Sequence, residues 1–259
     1  MLYICDMKDF EINTVIAGNC VDVMREMPEE CVDMCITSPP YDNLRKYNGF
    51  VFPFDEIVEG LYRVIKPGGI VVWVVGDSTI NGSETCTSFK QALKFVDAGF
   101  NLNDTMIWVK TNPMPQVKQP RYSSCFEYMF VFAKGKPKTF NPIMRTTKCG
   151  GQSYDSTCKN IGGENGRTEK HFLINKEAVD YNVWPIAIAQ NKTGHPAVFP
   201  EELAVRHIKT WSNENDIVLD PMCGSGTSLI AARKLGRRYI GIDISEEYCK
   251  ISEERLKEF

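Results

Sequence analysis

The sequence predicts an α/β protein, a mostly parallel sheet with helices on both faces. Two observations lead there. Short continuous apolar runs, Ile70–Val75 the longest, alternate with segments of helical spacing, the pattern of strands buried on both sides by covering helices. Two of the strand ends also run into turns unsuited to hairpins, "SPPY" at 38–41 and "PMCGSG" at 221–226. Ligands in open α/β sheets bind at such carboxyl ends.

The elements follow in order. Glu11–Gly18 reads as a strand, Cys20–Met27 as a short helix and Cys31–Thr37 as a strand. Phe54–Ile65 has helical spacing and stops at Lys66-Pro67-Gly68-Gly69; Ile70–Gly76 is a buried strand, Ser88–Gly99 a helix with a glycine stop, and Phe100–Lys110 a strand. A second block holds a helix at Pro200–Ser212, a strand at Asp216–Asp220, a helix at Thr227–Gly236, a strand at Arg238–Ser245 and a helix from Glu246. Between the blocks the pattern lapses. The stretch from Lys148 to Lys170 is rich in Gly, Ser, Thr and Asn and has neither period, so an irregular insertion is expected there.

Bulk composition narrows the class. With 43% hydrophobic and 24% charged residues the chain is that of an ordinary soluble protein, and no apolar run is long enough for a membrane span. No signal peptide is recognisable at the start, so a cytoplasmic location is expected. None of the ten cysteines forms a Cys-x-x-Cys knuckle; reduced thiols are the default, no metal is expected, and Cys149 with Cys158 is the one weak candidate pair. Net charge is −3, yet from Lys110 to Lys148 eight basic residues face a single acid, Glu127, and are interleaved with Tyr122, Phe126, Tyr128, Phe130, Phe132 and Phe140. A solvated face and a phosphate-tracking surface both fit that run.

The glycine turn "LDPMCGSGT" follows a strand ending at Asp220 and precedes a helix starting near Thr227. No Gly-Lys-Ser/Thr follows, which excludes a Walker phosphate loop, and Leu229 stands where a dinucleotide fingerprint needs a third small residue. Asp243 ends the next strand, where a carboxylate can hold ribose hydroxyls; capping the following helix is the competing role. A glycine turn and a ribose-type acid without a pyrophosphate signature suggest an adenosine cofactor that is not a dinucleotide. S-adenosylmethionine fits.

"ITSPPYDN", "LDPMCGSGT" and "GHPAVFPEEL" in this order closely resemble the exocyclic-amino DNA methyltransferases, specifically their permuted beta group, in which the catalytic half precedes the cofactor half. The resemblance covers nearly the whole chain except about 145–180. It implies a Rossmann-like S-adenosylmethionine-dependent methyltransferase fold with a catalytic half at 1–135, a target-recognition insertion at 136–190 and a cofactor-binding half at 191–259. It also implies catalytic roles for Ser38, Pro39, Pro40 and Tyr41: hydroxyl and carbonyl acceptors for the amine N–H groups, held rigidly by the prolines, and a ring face for a base flipped out of the duplex. Serine at the head of the turn goes mainly with cytosine N4, aspartate with adenine N6. Cytosine C5 chemistry is excluded, since no proline precedes a cysteine.

For the cofactor the resemblance implies Asp220, Met222, Gly224, Gly226, Thr227, Asp243 and Ile244, with Asn19 in the segment touching adenine and His195 and Pro196 at the methionine end. Asn19 replaces the family's usual acid, and Asp42 stands where the family commonly has Asn. Lys118, Arg121, Lys136 and Arg145 are expected to contact DNA, with the segment from Arg145 to Lys176 reading base edges. The expected partners are double-stranded DNA and, as a candidate, a cognate restriction endonuclease; monomer and homodimer are both open, and no membrane is expected. Competing readings are an adenine-N6 enzyme of the same architecture, an enzyme acting on RNA or on a protein glutamine amide, and a catalytically degenerate subunit that only binds nucleic acid.

Overall fold

The computed structural model describes residues 10–40, 52–113, 120–159, 167–189 and 200–259. Its first compact unit comprises residues 1–141 and 182–259. Strand β1 (Thr14–Ala17) leads to helix α1 (Cys20–Glu26), which starts at Asn19, whose side-chain oxygen accepts from Val21 N at 2.9 Å. Strand β2 (Val32–Thr37) is buried almost throughout. Helix α2 (Phe54–Val64) opens on Asp55 and Glu56 and closes on Arg63, charges of the right sign for each end of the helix dipole. Arg63 also donates to the carbonyls of Met24 and Met27, which ties α2 to the last turn of α1.

Strand β3 (Ile65–Val75) starts earlier than the glycine stop predicts and takes in the Lys-Pro-Gly-Gly segment. The ladder to β2 shifts register there, pairing Val32 with Ile65 but Met34 with Ile70. A Cβ on Gly69 would stand 2.8 Å from Asp33 O, so the second glycine permits the bulge that keeps the strand in the sheet. A small hairpin follows, β4 (Thr79–Ile80) and β5 (Ser83–Glu84). Asn81 and Gly82 turn it, both at positive φ, as a two-residue hairpin requires.

Helix α3 (Thr87–Asp97) and strand β6 (Asn101–Lys110) come next. Strand β7 (Phe126–Ala133) was not among the expected elements and lies inside the basic, aromatic run. That corrects one part of the phosphate-tracking reading. Phe130 and Phe132 are core residues, Phe132 stacked on Phe95 at 4.3 Å, and the run's aromatic spacing is largely that of a buried strand.

The second unit, residues 142–181, holds β8 (Met144–Thr146), β9 (Ser153–Lys159), β10 (Arg167–Leu173) and β11 (Glu177–Val179). Here the expectation of irregular chain gives way to two antiparallel pairs, β9 with β10 and β8 with β11. On the described ends of the long ribbon the side chains of both faces are exposed: Tyr154 and Phe172 stack on one, His171 and Asp155 bond at 2.8 Å on the other. Where neither face is buried, no apolar alternation betrays a strand.

Back in the first unit, β12 (Val183–Ile186) and helix α4 (Glu201–Trp211) precede β13 (Ile217–Asp220), α5 (Thr227–Lys234), β14 (Arg238–Asp243) and α6 (Glu246–Leu256). One eight-stranded sheet runs β1-β14-β13-β2-β3-β7-β6-β12, and only β7 runs against its neighbours. Helices α1, α2 and α3 pack side by side, as do α4, α5 and α6. The late strands β13 and β14 therefore fill the gap between β1 and β2. Continuous burial of β2 from Met34, of β3 from Ile70 and of all of β13 matches the apolar runs of the sequence. Among the described residues no helix is long and apolar enough to cross a membrane.

Candidate active site

The turn after β13 is bound to the tip of β14 at two points. Cys223 N donates to Ile242 O and Gly224 N donates to a carboxylate oxygen of Asp243, both at 2.9 Å. The other Asp243 oxygen accepts from Ser245 N at 2.9 Å, and Gly18 N donates to the Asp243 carbonyl. Helix α6 is capped separately, Ser245 Oγ accepting from Tyr248 N. Asp243 is thus held by backbone amides on both oxygens, with further lone pairs left in principle for a ligand. Next to it Ile244, 47% exposed, presents an apolar side chain to solvent.

The glycines have separate tasks. Gly226 has φ +77° and begins α5; a Cβ there would stand 2.0 Å from Ser252 Oγ, so this glycine lets α6 approach the turn. Gly224 is also at positive φ. The missing third small residue has a counterpart elsewhere, because a Cβ on Gly241 would meet Leu229 Cδ1 at 2.3 Å. Close packing of helix on strand is reached with the glycine on β14 and the large side chain on α5.

Asp220, at the end of β13, is 2% exposed. It accepts from Met222 N at 3.1 Å and from Ser228 Oγ. Burial pushes its carboxyl up to about 6, while Ser228, the neighbouring Thr37 hydroxyl and Met222 N pull it down and Asp243 adds a small upward push. Thr37 exerts this pull although its Oγ1 stands outside standard hydrogen-bond geometry. No salt bridge reaches Asp220 among the described residues, so a cationic group would find there a desolvated carboxylate without a counter-ion. Thr227, first in α5, has a buried hydroxyl lacking a partner among the described residues. A buried acid, an orphaned hydroxyl and an acid followed by an exposed isoleucine fit a cofactor with a cationic amino-acid end and a nucleoside end.

The second turn lies beside the first. Strand β2 pairs with β13 through Met34–Val218 and Cys35–Leu219, so Ser38, Pro39 and Pro40 leave the sheet at the strand tip adjacent to Asp220. Pro39 is buried, Ser38 and Pro40 half-buried. Neighbouring strands are about 4.8 Å apart, which brings the two turns within reach of one small reacting group. Tyr41, Asp42, Lys118, His195 and Pro196 fall outside the described residues. Asn19 Oδ1, expected at an adenine amine, accepts from Val21 N at the start of α1.

Sequence reasoning missed the hydroxyls beside Asp220: Thr37 ends β2, and Ser228, which donates to Asp220, lies eight residues downstream on α5. The second was findable as the second residue of the helix that follows the glycines. The buried thiols of Cys20 and Cys249 are raised to about 11 by desolvation, which leaves them protonated and unreactive.

The basic candidates are differently employed. Arg121 donates to Thr79 Oγ1 and Gly82 O, each at 2.8 Å, and lies 3.4 Å from Glu84, so it buttresses the β4–β5 hairpin. Lys136 is exposed. Arg145 lies over the Tyr181 ring at 4.1 Å. Two other members of the basic run have internal acids, Lys110 with Glu127 at 2.6 Å and Lys134 with Glu30 at 3.1 Å.

A family model described as DNA methylase matches residues 32–254, a span that includes both turns. The chain belongs to that family, the exocyclic-amino DNA methyltransferases. It is similar to the orphan methyltransferase M.BamHII of Bacillus amyloliquefaciens, 48% identical over 91% of this chain and 93% of the relative. It is also similar to the type II methyltransferase M.HinfI of Haemophilus influenzae, 28% identical over 98% of this chain and 70% of that one. Among solved structures, the cytosine-N4-specific PvuII DNA methyltransferase superposes with a TM-score of 0.70 at 19% identity, covering 95% of this chain and 86% of that one. The M1.HpyAVI–SAM complex gives 0.63 at 24%, covering 94% and 99%. The fold of this DNA methyltransferase is accordingly the S-adenosylmethionine-dependent one.

Proposed function

We propose that this DNA methyltransferase methylates the exocyclic N4 amine of a cytosine turned out of the duplex, using S-adenosylmethionine. The observation that supports it most is the placement of Ser38-Pro39-Pro40 on the strand next to Asp220, with serine rather than aspartate at its head. When bound, S-adenosylmethionine supplies an electrophilic methyl group on a sulfonium. Asp220 holds the cationic amino-acid end, Asp243 the ribose hydroxyls, and Ile244 one face of the adenine. The Ser38 hydroxyl and the Pro39 carbonyl accept the N–H groups of the target amine. That draws its lone pair out of the ring and aims it at the methyl carbon, so catalysis rests on positioning and electrostatics. Tyr41 stacks on the extruded base, which recovers about 1–3 kcal/mol of the unstacking cost.

Lys118, Arg121, Lys136 and Arg145 are proposed to lie along the DNA, Arg121 through the hairpin it braces. The residues from Arg145 to Lys176 are proposed to read base edges. A two-stranded ribbon such as β9–β10 is of the size a major groove admits. The relative named an orphan methyltransferase favours action without a cognate endonuclease.

The deciding experiment is transfer of labelled methyl groups to unmethylated genomic DNA, followed by digestion to nucleosides and mass spectrometry. N4-methylcytosine is expected. N6-methyladenine would replace the cytosine assignment with its adenine counterpart, and absence of any labelled nucleoside from protein that binds the cofactor would leave a binding subunit.

A further inference from the structure

Just ahead of β7 stands a tyrosine with almost nothing of its own protein around it: Tyr122 is 99% exposed. A single exposed apolar residue needs no explanation by itself, but here the backbone beneath the ring is fixed and its place is particular. The preceding residue, Arg121, donates to Thr79 Oγ1 and Gly82 O at 2.8 Å each and lies 3.4 Å from Glu84. These partners belong to the β4–β5 hairpin, whose base is closed in turn. Thr85 N donates to Ser78 O at 3.0 Å, and Asp77 accepts from Ser88 N at 2.9 Å and from Ser88 Oγ. The ring is thus held out on a pinned support, and little further ordering is needed when a partner meets it. The acids of this assembly are engaged, Glu84 by Arg121 and Asp77 by Ser88, which limits their repulsion of phosphates. Register gives the place. Thr37 pairs with Trp73 and Val75 with Tyr128, so the chain entering β7 arrives from the edge of the sheet at which β2 delivers Ser38. Only β3 lies between β2 and β7, which puts the two strand tips about 10 Å apart.

We propose that Tyr122 enters the duplex where the target base has left it, its ring taking that base's place in the stack. The proposal rests on the reading that the target is turned out of the duplex. Extrusion leaves a gap between two neighbouring base pairs and a base without its partner. An aromatic ring stacks on any base whatever the sequence, and side chains that enter a base step are of this apolar kind. Tyr41, on the Ser-Pro-Pro turn, and Tyr122 then attend to two sides of one event. The first receives the departed base, and the second fills the hole and keeps the base from returning. Arg121 acts on the reaction through Tyr122, by fixing the chain from which the ring projects.

Single-turnover methyl transfer by the full-length protein tests this on two synthetic duplexes. Both carry a sequence that the parent modifies, found by sequencing genomic DNA it has methylated. In one the target base is paired; in the other it faces an abasic site, so that it leaves the stack at little cost. Tyr122→Ala should slow transfer on the paired duplex roughly tenfold or more and stay within about twofold of the parent on the other. Tyr122→Phe, which keeps the ring face, should match the parent on both. The circular dichroism spectra of the three proteins should coincide, since the side chain is exposed. Equal slowing on both duplexes, no slowing on either, or a Tyr122→Phe protein as slow as Tyr122→Ala overturns the proposal and leaves the methylation reading in place. A parent that modifies no DNA at all defeats that reading, and the proposal with it.

Discussion

Asp220 differs from the other acid of the glycine turn in its surroundings. Asp243 is half-buried and held by two amides, whereas Asp220 is buried, with a carboxyl raised to about 6 from 3.8. An acid whose folded pKa is raised binds its proton more tightly in the native state. Its cost is absent below the unfolded value, grows as pH rises between roughly 4 and 6, and is complete above that, on the order of 3 kcal/mol. Asp220→Asn should therefore raise the melting temperature at pH 8 and leave it nearly unchanged at pH 4. The same substitution should weaken S-adenosylmethionine binding by roughly tenfold to a hundredfold, the worth of a charge-assisted hydrogen bond. In the parent, titration calorimetry should show affinity rising with pH through about 6, because the cationic ligand favours the ionised acid. Affinity indifferent to Asp220→Asn would remove it from the cofactor site.

The contact between α5 and α6 depends on Gly226. A side chain there is strained twice, by φ +77° and by Ser252 Oγ 2.0 Å from the Cβ. Gly226→Ala should cost about 1–2 kcal/mol from the left-handed backbone alone and more from the overlap. Adding Ser252→Gly should return only the steric part, as measured by urea denaturation; a Gly226→Ala protein as stable as its parent would refute this account. Elements like these were legible in the sequence where one cause dominated. The stretches Met34–Ile36, Ile70–Val75 and Ile217–Leu219 are buried on both faces and so appear as unbroken apolar runs, and the Gly-x-Gly and Ser-Pro-Pro turns are local spacings. Strand β7 was hidden because its residues sit among lysines that the fold pairs with distant acids, such as Glu30 with Lys134. The surroundings of Asp220 were hidden too, since Thr37 comes near it only once β13 lies beside β2. The ribbon of β9 and β10 has exposed side chains on both faces wherever they are described, so burial left no mark on its pattern.

At the scale of the whole molecule, one unit carries the hydrophobic core and a second, proposed to read the target sequence, consists of paired strands. Tyr154 and Phe172, stacked and exposed on the ribbon, contribute little to the core. Replacing both with alanine should change unfolding free energy by less than about 0.5 kcal/mol, the usual range for surface sites. Methylation by that variant should spread over more sequences, as read by sequencing of the modified genome; unaltered sequence choice would take these rings out of target recognition.

The position of β13 and β14 between β1 and β2 has a consequence for how the protein is made. Asp33 accepts a hydrogen bond from Ile217 N, a partner 184 residues later, and a ribosome adding 5–20 residues per second needs roughly 10–40 s to reach it. Until then the nascent chain holds the edges of β1 and β2 open, each an unpaired row of backbone donors and acceptors. The strands proposed to cradle the methyl donor are translated long after the Ser-Pro-Pro turn, so a nascent chain that carries this turn alone lacks them. Expression at low temperature or with holding chaperones, which protect those waiting edges, should raise the soluble yield.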